Sequence, residues 1–324
     1  MFRTVLVPLD RSLLAEQAIG EAVAIARAAH AELDIVLVHE PLPFAGFEDA
    51  PWSATQWNDE LRYLESIVAE IESGGSLEPT FAVMRGPPAE TICRRARDVE
   101  ADLIVMTSHG RTGLSRAWLG SVADAVLRHA TAPVLMLRPV EGTKAREAVH
   151  HLFKHVLVPL DGSALASDIL TSVSALARPI GARVTLLRVV QPVPTVMIDA
   201  GLPYIYPPVI LDDDATSRLV AEAKENIAEV AARLRGDNVL GVDAQVVVAP
   251  HVAQAIIDFA NGFEMDLIAM STHGRGASRL LMGSVADKVL RASDAPMLLH
   301  RPVGVGDAMQ ATNAHSPALA RAHA

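Results

Sequence analysis

One cysteine, Cys93, occurs in 324 residues, so no internal disulfide framework exists and the usage suits a reducing compartment. Aromatic residues make up only 4% and the formal net charge is −10. Without a basic face or stacking platforms, no nucleic-acid-binding surface is expected. No apolar run approaches the ~20 residues of a membrane span. The nearest, Val196 to Leu211, is broken by Asp199, Gly201 and three prolines, so no membrane partner is expected. A strand-like run begins at Thr4 and leaves no room for a signal peptide, which points to a cytoplasmic protein. Walker A, GxGxxG and GxSxG patterns are all missing. By motif this is neither a P-loop hydrolase, nor a dinucleotide-type Rossmann domain, nor an α/β hydrolase.

Against these absences one phrase occurs twice. Residues 107–121 read TSHGRTGLSRAWLGS and residues 271–284 read STHGRGASRLLMGS. Each follows an apolar run and ends at a Gly-Ser that opens a helical pattern. Neither contains Asp or Glu, and each carries two arginines, Arg111 and Arg116 or Arg275 and Arg279. Glycines permit close backbone approach, and a helix N-terminus offers free N–H groups with partial positive charge. The pattern suits an anion, most simply a phosphate. The repetition extends further: Val5-Leu-Val-Pro-Leu-Asp10 returns at Val156–Asp161, Gly120–Asp124 at Gly283–Asp287, and Ala132–Pro139 at Ala295–Pro302. The offset is 151 residues at the first pair and 163 at the last two, so the halves are duplicated domains that differ by indels in surface loops.

Apolar runs alternate with amphipathic stretches in both halves. Strands are expected near 3–9, 33–39, 79–84, 102–106 and 133–138, with helices near 12–30, 55–73, 88–99 and 120–130. The second half gives strands near 154–160, 183–189, 243–249, 266–270 and 296–301. Runs without alternation, such as Val246-Val-Val, suit strands covered on both faces. Strand–helix alternation implies right-handed crossovers and doubly wound parallel sheets, an α/β class. The expected organisation is one domain over 1–139, a linker over 140–153, a second domain over 154–302 and a mobile tail over 303–324. Proline-rich inserts follow the second strand of each half, at 41–51 and 192–208. Trp52 and Trp57 follow the first insert, and Tyr204 and Tyr206 lie in the second.

In open α/β sheets ligands sit beyond the carboxyl ends of strands, where the strand order reverses. The acid-free loop leaves the fourth strand there, and Asp10 or Asp161 ends the first strand. A polyphosphate on the loop amides and a sugar hydroxyl on the carboxylate describe a nucleotide. The residues resemble the signature of the universal stress protein family: Gly, two residues, Gly, nine residues, then Gly-Ser or Gly-Thr. The first half matches as Thr107, Gly110, nine residues and Gly120-Ser121, with Thr replacing the first Gly. The second has Ser271 there and only eight residues between Gly274 and Gly283. The resemblance covers about 3–139 and 154–302, as a tandem member.

That resemblance implies two flavodoxin-like (adenine nucleotide alpha-hydrolase-like) domains, each a five-stranded parallel sheet of order 3-2-1-4-5. It also implies ATP as ligand, with Mg²⁺ accompanying the phosphates. Carried over by position, Pro8, Leu9 and Asp10 contact adenine and ribose, and the Glu40 backbone reads the adenine edge. Gly86 lines the ribose side, and Thr107, Gly110, Arg111, Gly120, Ser121 and Val122 surround the phosphates. The counterparts are Pro159, Leu160, Asp161 and Val189 near the nucleoside, with Ser271, Gly274, Arg275, Gly283, Ser284 and Val285 near the phosphates. The Gly86 position falls on Pro250, which is expected to block a backbone approach. The first half is therefore the better-supported site.

Simpler roles stand beside these. Ser121 and Ser284 each precede an Asp by three residues, an ordinary capping arrangement. Asp10 and Asp161 suit helix caps, Gly110 and Gly274 suit turns, and Arg116 and Arg279 suit solvated surface charges. His109 and His273 share a motif position without a catalytic constellation. His150, His151 and His155 read as an incidental run, not a metal site. Arg94 and Arg95 follow Cys93 on one helix, where their charge favours a thiolate, but a passive surface or half-buried thiol is the default reading.

The reading reached is a non-enzymatic ATP-binding stress-response regulatory protein that signals to a protein partner, its halves pairing as an internal pseudo-dimer. A slow ATP-hydrolysing enzyme is the alternative, but it needs a placed general base, and none is visible. A nucleotide-free interaction module is another. There the edge strands Val134–Arg138 and Met297–Arg301 pair within one chain or between two chains of a homodimer.

Overall fold

The computed structural model describes residues 1–40, 54–75, 77–108, 119–139, 152–196, 209–272 and 282–302. In the first half the chain runs β1 (Thr4–Leu9), α1 (Leu13–Ala29), β2 (Glu32–His39), α2 (Ala54–Ser73) and β3 (Thr80–Arg85). It continues through α3 (Pro88–Asp98), β4 (Leu103–Thr107), α4 (Ser121–His129) and β5 (Val134–Leu137). The second half runs β6 (His155–Pro159), α5 (Ala164–Ser167), α6 (Ile169–Ile180), β7 (Arg183–Val190), β8 (Pro194–Val196) and β9 (Val209–Leu211). It closes with α7 (Asp213–Gly236), β10 (Val242–Val248), α8 (Val252–Gly262), β11 (Leu267–Ser271), α9 (Ser284–Ala292) and β12 (Met297–His300).

Every residue of β1, β4 and β5 is buried, as continuous apolar runs require when helices cover both sheet faces. Side-chain alternation then divides the core. Val5, Val7, Leu33 and Ile35 pack with Ile25 of α1 and Leu64 of α2, in a layer that continues to Leu176 of α6 and Leu234 of α7. Leu6, Val36 and Ile104 pack on the other face with Ile92 of α3 and Val126 of α4, continuing to Ile256 of α8 and Val289 of α9.

Ten of the twelve described strands form one sheet in the order β10-β7-β6-β11-β12-β5-β4-β1-β2-β3. Each half is parallel and follows 3-2-1-4-5 when its main strands are numbered separately. This places the reversal point between β1 and β4, and between β6 and β11, beneath the loops of interest. The halves join where β5 and β12 run antiparallel, with Leu135 opposite Leu298. The two strands expected to seek a partner therefore find each other within the chain. The sheet's outer strands are β3 and β10.

Two local features differ between the halves. The α1 counterpart breaks into α5 and α6. A short antiparallel ladder also pairs β8, within the second proline-rich insert, with β9, just after it, and periodicity does not predict it. The expected linker, apart from Leu152 and Phe153, and the expected tail lie outside the described residues.

Candidate functional site

The helix after β1 starts because Ser12 caps it: its Oγ accepts the Ala15 N–H at 3.1 Å. Asp10 does not cap. Its Oδ1 accepts the Ser12 N–H at 3.0 Å and so braces the capping residue. Ser163 repeats the arrangement, with Asp161 Oδ1 accepting its N–H at 2.8 Å and its Oγ accepting the Ala166 N–H at 3.1 Å. Both aspartates are thereby held at the carboxyl end of the first strand of their half.

The helices after the acid-free loops start differently. Gly120 and Gly283 are the N-caps, and neither α4 nor α9 has a side-chain cap. Ser121 and Ser284 are the first helical residues, which overturns the reading of them as capping-box serines. Asp124 and Asp287 instead meet Arg128 and Arg291 one turn on, both at 2.9 Å. Among the described residues no side chain accepts from the early amides of α4 and α9, an arrangement that suits a bound anion. Each loop is closed at its base: the Gly120 N–H donates to Ser108 O at 2.9 Å, and the Gly283 N–H donates to Thr272 O at 2.6 Å.

In the first half, Pro8, Leu9 and Thr107 are buried strand-end residues, whereas Ser121 is exposed and Val122 half-buried at the start of α4. Glu40 is exposed just beyond β2. Gly86 follows β3 at φ +144°, and a Cβ there would stand 2.7 Å from Thr91 Oγ1. Only glycine fits. Gly110, Arg111, Gly274 and Arg275 lie outside the described residues, as do Trp52, Tyr204, Tyr206, His109, His273, Arg116, Arg279, His150 and His151.

A cavity of about 570 Å³ opens in the second half. It is bounded by the ends of β6, β7 and β11, the start of α9 and one side of α7. Pro159, Leu160, Asp161 and Val189 line it on one side, and Ser271, Gly283, Ser284 and Val285 on the other. Sequence reasoning missed five polar residues that also line it, Arg188, Gln191, Glu222, Asn226 and Thr272. Arg188 Nη1 donates to Leu160 O at 3.2 Å. Gln191 Nε2 donates to Pro250 O at 3.0 Å.

The sheet register corrects two pairings between the halves. Pro8 stands opposite Val36, and Pro159 opposite Leu187. Counting on along each strand makes Gln191, not Val189, the counterpart of Glu40. Likewise His39 pairs with Arg85 and Val190 with Val248. Gly86 donates its N–H to His39 O and Ala249 to Val190 O, so Ala249 occupies the Gly86 place and Pro250 lies one residue beyond. The offset changes by one residue between β10 and α8, which a motif-based alignment cannot see.

Cys93 is buried, and that burial raises its thiol pKa although Arg97 opposes it. Arg95, the neighbour whose charge would favour a thiolate, turns to Asp34 instead, with Nε to Oδ1 at 2.9 Å and Nη2 to Oδ2 at 2.6 Å. The thiol is therefore held in its protonated form. His155 shares a 2.9 Å hydrogen bond with Thr185 Oγ1.

A profile of the universal stress protein family matches residues 1–138 and 152–301. A universal stress protein of Methanocaldococcus jannaschii is 32% identical over 142 residues, 43% of this chain and 83% of its own. One from Thermus aquaticus is 33% identical over 139 residues, 43% of this chain and all of its own. Among solved structures, a universal stress protein from Archaeoglobus fulgidus aligns over 92% of this chain and 96% of its own, at a TM-score of 0.64 and 20% identity. At that identity it bears on the fold alone. Among the described residues no helix is long and apolar enough to cross a membrane.

Proposed function

Since the chain belongs to the universal stress protein family as a tandem member, we propose that it is a non-enzymatic, ATP-binding stress-response regulator. Nucleotide occupancy alters the surface it presents to a protein partner. One observation carries the reading: an uncapped helix start, Gly283-Ser284, and a braced carboxylate, Asp161, line one cavity.

The chemistry of the lining fits such a ligand. The cavity lies within the roughly 300–1,000 Å³ of small-molecule sites. Amides at the start of α9 donate to phosphate oxygens, and the helix dipole favours their charge. The Asp161 carboxylate accepts from a ribose hydroxyl. Apolar Leu187, Val189 and Ile256 supply walls for a base. In the first half, Asp10, Gly86 and the Gly120-Ser121 helix start offer the same elements, and the signature there is the better matched. Among the described residues no three His, Cys, Asp or Glu gather as metal ligands.

Native mass spectrometry of the purified chain tests the proposal, because it reads a co-purified adenine nucleotide and its stoichiometry together. Equilibrium dialysis against labelled ATP completes the test. No binding at millimolar nucleotide removes the reading.

A further inference from the structure

Each loop that leads to an uncapped helix start is tied at its base to the closing strand of the same half. The Gly120 N–H donates to Ser108 O and the Ser108 N–H to Leu137 O of β5, both at 2.9 Å. In the second half the Gly283 N–H donates to Thr272 O at 2.6 Å, and the Thr272 N–H to His300 O of β12 at 2.8 Å. The residue after each closing strand is an arginine that reaches into the other half. Arg138, after Leu137, donates to the carbonyl of Leu290 in the last turn of α9. Arg301, after His300, donates to the carbonyl of Arg128 in the last turn of α4. Hydrogen bonds thus run from each loop base, through a closing strand, to the far end of the helix that starts at the other loop.

Those two helices are short. α4 and α9 have nine residues each and no side-chain N-cap. A helix of that length is marginal without outside contacts and forms cooperatively, so fixing either end orders the whole. An anion at its start and a guanidinium at its last carbonyls both favour the same dipole. Side chains on the two helices also share charge across the halves. The Arg128 pKa is raised by its hydrogen bond to Asp124 and, beyond that, by Asp287 of α9. The Arg291 pKa is raised by its hydrogen bond to Asp287 and, beyond that, by Asp124 of α4.

We infer that the two sites bind nucleotide with positive cooperativity, each occupied helix start tightening the other site through the crossing arginines. This rests on the reading above that phosphates lie at the starts of α4 and α9. The two states involved are a docked one, with both helix ends on their arginines, and a frayed one in which the last turns open. Phosphate at Gly120-Ser121 favours the docked α4 and so holds Arg301. Arg301 in turn fixes the end of β12, where His300 anchors Thr272 and the base of the second loop. The same path runs back through Arg138 and Leu137 to Ser108 and Gly120. Linkage makes the effect equal in both directions.

Equilibrium dialysis of the full chain against labelled ATP tests it, on the wild type and on the Arg138→Met, Arg301→Met double variant. The wild type should bind two ATP with a Hill coefficient above 1, which independent sites cannot give whether alike or unlike. The second ATP should bind at least about fivefold more tightly than the first, the lower end of typical coupling. The double variant should still bind two ATP, with a coefficient of 1 or below, because the arginines sit at the opposite helix ends from the phosphates. A wild-type coefficient of 1 or below, or one that the double variant leaves unchanged, overturns the inference and leaves the nucleotide reading standing. No ATP bound to the wild type overturns both. If the double variant fails to fold, hydrogen exchange on the wild type decides. ATP should slow exchange of the Ala130 and Ser293 amides, which close the last turns on Val126 O and Val289 O. Protection confined to the helix starts overturns the inference.

Discussion

Arg301, just past β12, donates from Nη1 to the carbonyl oxygen of Arg128 near the end of α4, at 2.7 Å. The bond crosses from the second half to the first. Its mirror image is present too: Arg138, just past β5, donates from Nη2 to the carbonyl of Leu290 near the end of α9. Burial lowers the Arg138 pKa, with Asp294 opposing. A cation at a helix C-terminus meets both the unpaired carbonyls and the negative end of the dipole. These two arginines lock each half's closing strand to the other half's last helix.

Arg301→Met is therefore expected to destabilise the chain by about 1–3 kcal/mol, the range for losing a charged donor to a buried acceptor. The Arg138→Met, Arg301→Met double variant should lose more and unfold in two separated transitions. Calorimetry reads both effects. An unchanged midpoint and a single sharp transition in the double variant would show that the β5–β12 ladder alone couples the halves.

Glu21 lies on α1, which packs against α6 of the other half. Its Oε2 is buried with no partner, and burial raises its pKa from 4.5 to about 7. Between these values the folded state holds a proton that the unfolded state has released. Stability therefore falls as pH rises from about 4.5 to about 7 and levels off above that. The shift corresponds to at most about 3 kcal/mol, less whatever solvent screening removes. Glu21→Gln should flatten this slope and raise stability at pH 8. Denaturant titrations across pH 4–8 check it, and parallel curves for the two proteins would refute it.

The strands were legible because β1, β4 and β5 are buried on both faces and read as unbroken apolar runs. The candidate site was read from glycine spacing and the strand-end aspartates, of which the structure describes Gly120, Gly283, Asp10 and Asp161. What escaped was set by tertiary register. The 151-residue offset of the first strands already carries Glu40 to Gln191, but the one-residue slip before α8 appears only in the ladder. Adjacency in sequence is likewise no guide to contact at Cys93. Arg95 is its near neighbour in sequence but faces Asp34, buried at 2% exposure. With Gly and Ser adjacent, either can cap, and the choice of Gly120 over Ser121 was not readable from residue preference.

Gly86 offers a test of backbone placement. Gly86→Ala forces an L residue to φ +144° and places its Cβ 2.7 Å from Thr91 Oγ1. Two costs add, backbone strain of order 1–3 kcal/mol and a steric clash. Thr91 is fully buried and its Oγ1 has no partner, so Thr91→Ala alone should cost little beyond a small void. The double variant should recover the clash but not the strain. A double-mutant cycle by urea unfolding separates them, and strict additivity would show that the two residues do not meet.

The sharpest discrimination between an anion site and a merely structural helix start comes from a substitution that helps one and harms the other. Gly120 and Gly283 have φ near −60° with ψ of 147° and 143°, a conformation any residue adopts. Aspartate is a preferred N-cap, and its charge suits the dipole, so Gly120→Asp or Gly283→Asp should stabilise its helix by about 0.5–1 kcal/mol. The same carboxylate occupies the amides and repels phosphate. Each variant should thus melt at a higher temperature than the wild type while losing one bound nucleotide. Thermal melts without ligand and dialysis with ligand read the two signs independently. A variant that gains stability and keeps both nucleotides would place the phosphates away from these helix starts.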